Sequence, residues 1–328
     1  MDKATWYYAR GRAAQAASDV EDLVQSGVRS VLFNSPDEAS AAPFLEAAGG
    51  QPLELHIGIS LKELHERALG CPPPPMVIPD RDAFVARFGD RCLSTLVCWS
   101  GLTQGAALAA WLVRHCREAG YAKGVSLDVL RYPNTVFAED FPCACESCQA
   151  RRRPWLGHGC LEAADRTDPS VMYKELETKG AVIGGVARDL AQALHAAGLE
   201  FSLAARAVYA GRDHEHAAAP MWGYGPALYE GQDWAAWCRD GLLDTVHFMN
   251  YTPRLERLER LTRQHRDLLR GAPVRHHEGL GVTCSAGRLS PADLDDQIRL
   301  CADLGAAGVT LFPWHGVSAE HRAVLARW

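Results

Sequence analysis

Eight short apolar runs alternate with eight helix-patterned runs from one end of this chain to the other, and few folds accept that order. The strand-like runs are Thr5–Arg10, Val28–Phe33, Pro52–Ser60, Gly124–Arg131, Glu200–Val208, Asp244–Tyr251, Val274–Val282 and Gly308–Pro313. Between them lie helical patterns at Ala14–Gln25, Pro36–Ala48, Gln104–Ala119, Tyr173–Ala197, Asp233–Arg239, Leu255–Leu269 and Pro291–Leu304, with a last short helix running to Trp328. Alternation of this kind brings strands parallel through right-handed crossovers. The expected fold class is α/β: a (β/α)8 TIM barrel, one domain over residues 1–328, with long loops after strands three, four and five. A doubly wound open sheet is the alternative. It is disfavoured because Arg10-Gly11-Arg12 enters the first helix without a phosphate-binding glycine spacing.

Composition narrows the function. A net charge of −6 with no long basic run argues against nucleic acid as a partner. No stretch reaches 18 apolar residues, so no membrane span is expected, and the polar start at Met1-Asp2-Lys3 suggests a cytoplasmic protein. Eleven cysteines in such a chain are expected to be mostly reduced thiols packed as small apolar groups.

The fourth strand carries the strongest chemical signal. Gly124-Val-Ser-Leu-Asp128-Val-Leu-Arg131-Tyr132-Pro133 sets a carboxylate and an arginine near the C-terminal end of an apolar run. A buried acid is costly unless it is paired or at work, and barrel chemistry is done at that end of the strands. Asp128 is therefore read as the centre of the site, sharing a strand face with Ser126, with Arg131 near enough to tune it or bind substrate.

This stretch resembles the bacterial barrels described as family-10-like glycosyl hydrolases, whose hallmark is G-(apolar)-x-(apolar)-D-x-(apolar)-R-(aromatic)-P. Asp233-Trp234, then Asp240-Gly-Leu-Leu-Asp244 and His247-Phe-Met-Asn250-Tyr251-Thr252, resemble that family's sixth-strand segment. Leu53–Ser60, Val97–Ser100, Gly279-Leu-Gly281 and Gly305–Phe312 resemble further family stretches, over roughly residues 50–315. The resemblance implies glycosyl-bond cleavage, a hydrolysis that needs no cofactor, while the polar start of the chain makes a small or intracellular glycoside the expected substrate.

Most glycosidases use two carboxyl groups, about 5 Å apart for retention and roughly 6.5–9.5 Å apart for inversion. Asp128 is assigned as acid/base. Glu278 is assigned as its partner, on strand seven beside His276 and His277, an arrangement similar to that of many barrel glycosidases. Glu139 and Asp140 are rivals for that place. Asn250, Tyr251, His56 and Arg206 are expected substrate contacts at the mouth, with Trp314 as a sugar platform beside His315. Trp99, Trp222 and Tyr224 are further platform candidates.

Cys143-Ala-Cys145-Glu-Ser-Cys148, followed by His158 and Cys160, brings thiols close enough to converge on a structural zinc. Free thiols are the alternative. Relatives carrying a similar cluster after the fourth strand imply a knuckle in a long loop. His214-Glu-His216 makes only a weak ligand set. A Schiff-base aldolase is disfavoured because the strands as read hold no lysine beyond the terminus, and a phosphate site is disfavoured because Gly279–Gly281 is only a partial match. A sugar-directed lyase or isomerase, or a glycan-binding pseudo-enzyme, remains the rival.

Overall fold

The computed structural model describes all residues except 35–36, 94–95, 134–140 and 210–225. Eight parallel strands close a barrel: β1 (Asp2–Tyr8), β2 (Ser30–Asn34), β3 (Glu54–Ser60), β4 (Ala122–Asp128), β5 (Glu200–Arg206), β6 (Thr245–Met249), β7 (Arg275–Gly281) and β10 (Gly308–Phe312). A small antiparallel hairpin, β8 (Thr283–Cys284) with β9 (Gly287–Arg288), follows β7 and was not foreseen. Each expected strand is present, shifted by a few residues, and the barrel closes between β1 and β10.

Helix ends follow local chemistry. Ser290 caps the helix Pro291–Asp303 in a reciprocal box with Asp293, and Asp233 accepts the amide of Ala236 to start Trp234–Arg239. Gly120 closes Gly105–Ala119 in a left-handed conformation that a Cβ disfavours. The two long excursions are less irregular than their sequences suggest. The one after β3 contains helices Leu61–Leu69 and Arg81–Phe88, and the one after β4 contains Glu146–Leu156 and Ala163–Thr167.

Apolar side chains between barrel and helices form two large clusters, one around Leu127, Leu203 and Phe248 and one around Val31, Leu280 and Leu311. The other side of the pleat lines the lumen. Trp6 stands level with Leu32, Leu32 with His56, Ser126 with Ser202, and His247 with His277. At the C-terminal mouth the same face presents Tyr8 level with Asn34, Ser60 with Asp128, Arg206 with Met249, and Gly281 with Phe312. Lys3 and Lys123 fall inside strands after all, but both stand at N-terminal ends, away from that mouth.

Candidate active site

β4 ends at Asp128 because the next residue leaves the extended region: Val129 has φ 52° and its amide donates to Asp128 Oδ1 at 2.8 Å. Among the described residues only Val129 and Tyr251 are non-glycine residues with positive φ. Each such conformation costs about 1–3 kcal/mol, and such strain gathers at functional sites. Here both positions border the mouth, one beside Asp128 and one just past β6.

Asp128 is half-buried. Burial pushes its carboxyl pKa up, while the charges of Arg131 and Arg206 and the Val129 amide only partly offset that push. Facing it, burial and the Asp128 charge push the Tyr8 hydroxyl up to about 12. Burial, then Asp128, also holds the Tyr251 hydroxyl well above its ordinary value. Both phenols therefore stay protonated and can donate.

The Tyr251 ring stacks on Phe312 at 4.7 Å and meets Trp6 edge-on at 6.1 Å. Two glycines of β7 make the room. A Cβ at Gly279 would stand 3.4 Å from the Tyr251 ring, and one at Gly281 would stand 3.2 Å from the Tyr251 Cα. Gly279–Gly281 is thus a packing slot for an aromatic residue, not an anion cradle.

The two arginines are held by a residue the sequence did not single out. Glu230, fully buried, accepts from Arg131 at 3.0 Å and from Arg206 at 2.8 and 2.6 Å. Two guanidinium groups thus converge on one carboxylate, and both act on Asp128. Trp99, expected as a platform, is 2% exposed and instead donates from Nε1 to the Arg131 carbonyl at 3.0 Å.

Four other expected placements are corrected. Glu278 does not join Asp128: His277 takes the lumen side of β7, so Glu278 points outward and is fully buried. It bonds His265 of the outer helix Leu255–Leu268 at 3.0 Å and Asn250 at 2.6 Å. Burial raises its pKa, but attraction to His265 and these bonds outweigh burial and hold it below the ordinary value. Asn250 is consequently behind the wall, 3% exposed, and not a mouth residue.

His56 is the third residue of β3 and belongs to the barrel floor. With His247 and His277 it borders a cavity of about 190 Å³ at the N-terminal end, where burial lowers all three pKa values. Trp314, 3% exposed, packs in the outer apolar cluster and offers no ring face to a sugar, while His315 beside it is exposed.

Three of the four expected metal-site cysteines converge, and the fourth is another residue. Cys143, Cys145 and Cys148 meet Cys98, from the loop after β3, with all four sulfurs within 4.8 Å of one another. Cys160 is exposed, and His158 turns to the Cys160 carbonyl and to Asp165. Arg151 and Arg152, on the helix that starts at Glu146, grip the buried Glu175. Glu139, Asp140, His214, Glu215, His216, Trp222 and Tyr224 lie outside the described residues.

No family model matches the chain, and no curated protein sequence is similar to it. Its fold is shared with solved glycoside-hydrolase barrels. The glycoside hydrolase domain of PgaB (BpsB) from Bordetella bronchiseptica is 12% identical with a TM-score of 0.65, covering 99% of this chain and 98% of that one. The catalytic domain of a β-amylase from Paenibacillus polymyxa gives 0.60 at 10% identity, covering 100% and 97%. A class V chitinase from Pseudomonas fluorescens Pf-5 gives 0.58 at 12%, covering 99% and 98%. At such identities the likeness establishes the barrel and its extent, not the chemistry.

Proposed function

We propose that this barrel is a glycoside hydrolase with Asp128 as its general acid/base. The observation that carries this is a half-buried carboxyl with a raised pKa at the C-terminal mouth of the barrel, faced by two protonated phenols. A carboxyl whose pKa is raised holds its proton more readily and can give it to the leaving glycosidic oxygen as the C1–O bond breaks. The resulting carboxylate then takes a proton from the attacking water. Arg131 and Arg206, fixed by Glu230, orient sugar hydroxyls, and Tyr251 offers a ring face and a hydroxyl donor.

Among the described strand residues, Asp128 is the one carboxyl facing the lumen at the mouth. Hydrolysis that relies on one protein carboxyl uses the substrate for the second role: a sugar's 2-acetamido oxygen closes on C1. The reading therefore favours N-acetylated amino-sugar glycosides, consistent with a chitinase among the similar folds.

The burial of Glu278 supports one competing reading, a glycan-binding barrel without hydrolysis. A panel of aryl glycosides with and without the 2-acetamido group separates the two. Turnover of the acetamido members, lost in Asp128→Asn, supports the hydrolase. Binding of the sugars without turnover overturns it in favour of the binding protein.

A further inference from the structure

We propose that Cys98, Cys143, Cys145 and Cys148 bind one zinc ion that clamps the loop after β3 to the loop after β4. Four thiolates around zinc at about 2.3 Å form a tetrahedron whose sulfur–sulfur edges are roughly 3.8 Å. The Cys98 sulfur stands 3.6 Å from that of Cys145 and 3.5 Å from that of Cys148. These separations are far too long for disulfides, and all eleven cysteines are free. Three of the four residues are buried.

The surroundings suit bound thiolates. The amides of Val77 and Cys145 point at the Cys143 sulfur at 3.3 and 3.5 Å, and such donors help offset thiolate charge. Four thiolates and a divalent ion carry a net charge of −2. Arg151, Arg152 and Lys179 lie beside the sulfurs, with Glu175 as the carboxylate opposing them among the described residues. Hard oxygen-seeking cations do not select such a set; a tetrahedral cluster of four sulfurs selects zinc or iron.

The clamp reinforces two loops that also meet where Phe84 and Phe88 pack edge-on against Phe141. Backbone bonds at Cys98 N to Pro74 O, 2.8 Å, and at Ala144 N to Val77 O, 2.8 Å, hem the cluster from both sides. Cys98 directly precedes Trp99, whose indole fixes the Arg131 carbonyl, and Ser100 links the Cys148 sulfur to the Tyr132 hydroxyl at 3.1 and 3.2 Å. The metal therefore sets the backbone on which Arg131 stands, whether or not the barrel is a hydrolase.

Elemental analysis of the full chain, purified without chelator or added metal, tests the assignment. The expected result is about one zinc per chain, released by a mercurial only as the cluster thiols react, after the exposed Cys71 and Cys160. Cys98→Ser should lose the zinc, while Cys160→Ser should keep it. Cys98→His, which retains a ligand, should also keep it if Cys98→Ser does not fold. Cobalt substituted into the wild type should give the visible bands of a tetrahedral thiolate site. Less than about half an equivalent of zinc, iron in its place, or loss of metal in Cys160→Ser would overturn the proposal.

Discussion

Asp128 and Glu278 stand on different strands of one barrel, Asp128 between Leu127 and Val129 and Glu278 between His277 and Gly279. Their environments differ in sign. Asp128 faces the lumen, has two arginines within electrostatic reach that are already engaged by Glu230, and has its pKa raised. Glu278 faces the helices, holds His265 and Asn250 as direct partners, and has its pKa lowered. The contrast separates an acid kept available for chemistry from one committed to holding an outer helix against the wall. Burial alone does not distinguish them; the side of the pleat and the partners do.

The largest expected effect is on turnover. Asp128→Asn should lower kcat on an N-acetylated glycoside by about 10²-fold or more, the usual scale for a positioned acid. Its stability should not fall. A carboxyl whose folded pKa is raised loses stability for the protein as pH climbs from its ordinary value through the raised one, so the amide removes that loss. Calorimetry at neutral pH checks this, and a large drop in Tm would show Asp128 to be structural.

Glu278→Ala should do the reverse. It leaves buried His265 and Asn250 without their acceptor, which costs about 3–5 kcal/mol and shows as a lower urea midpoint, while kcat per folded molecule stays near wild type. Its pH signature is opposite too. The folded pKa is depressed, so the stability it contributes is present above the ordinary glutamate value and fades as pH falls through the lowered one. The variant should have a flatter acid limb in its stability profile. A loss of kcat matching that of Asp128→Asn would restore Glu278 to the chemistry and break the contrast.

Tyr251→Phe is milder. The ring keeps its stack on Phe312 and only the hydroxyl goes, so kcat/KM should fall about tenfold, with Tm within roughly 2 °C of wild type. Unchanged kinetics would reduce Tyr251 to packing.

The eight-strand order was legible because βα alternation is a local pattern. So were the caps at Ser290 and Asp233, and the position of Asp128 at the end of its strand. The face of β7 was not. β7 opens with four polar residues in succession, Arg275-His276-His277-Glu278, so no alternation decided which of His277 and Glu278 turned inward. Cys98 was missed for a different reason: it lies 45 residues before Cys143, and only the neighbouring positions of β3 and β4 bring their loops together. Glu230 sits in no motif, yet two arginines at strand ends, Arg131 and Arg206, call for an acid between them. Tyr8 was hidden by a first strand read as Thr5–Arg10, whose observed end is Tyr8 itself.

The finest test of the contrast lies in the arginines. Arg131 bonds Glu230 once, while Arg206 bonds it twice, so removing Arg131 leaves the buried Glu230 with an arginine partner. Arg131→Met should therefore fold. Arg131 pulls the Asp128 pKa down against burial, so its loss lets that pKa rise further. A general acid works while protonated, and the alkaline limb of kcat against pH falls through its pKa. In Arg131→Met that limb should move to higher pH, even if kcat/KM drops from a lost sugar contact. A drop in kcat/KM with an unmoved limb would mean that Arg131 binds substrate without tuning Asp128, or that the limb belongs to another group. A shift towards lower pH would contradict the assignment of Asp128 as the proton donor, because removing a cation cannot make a carboxyl more acidic.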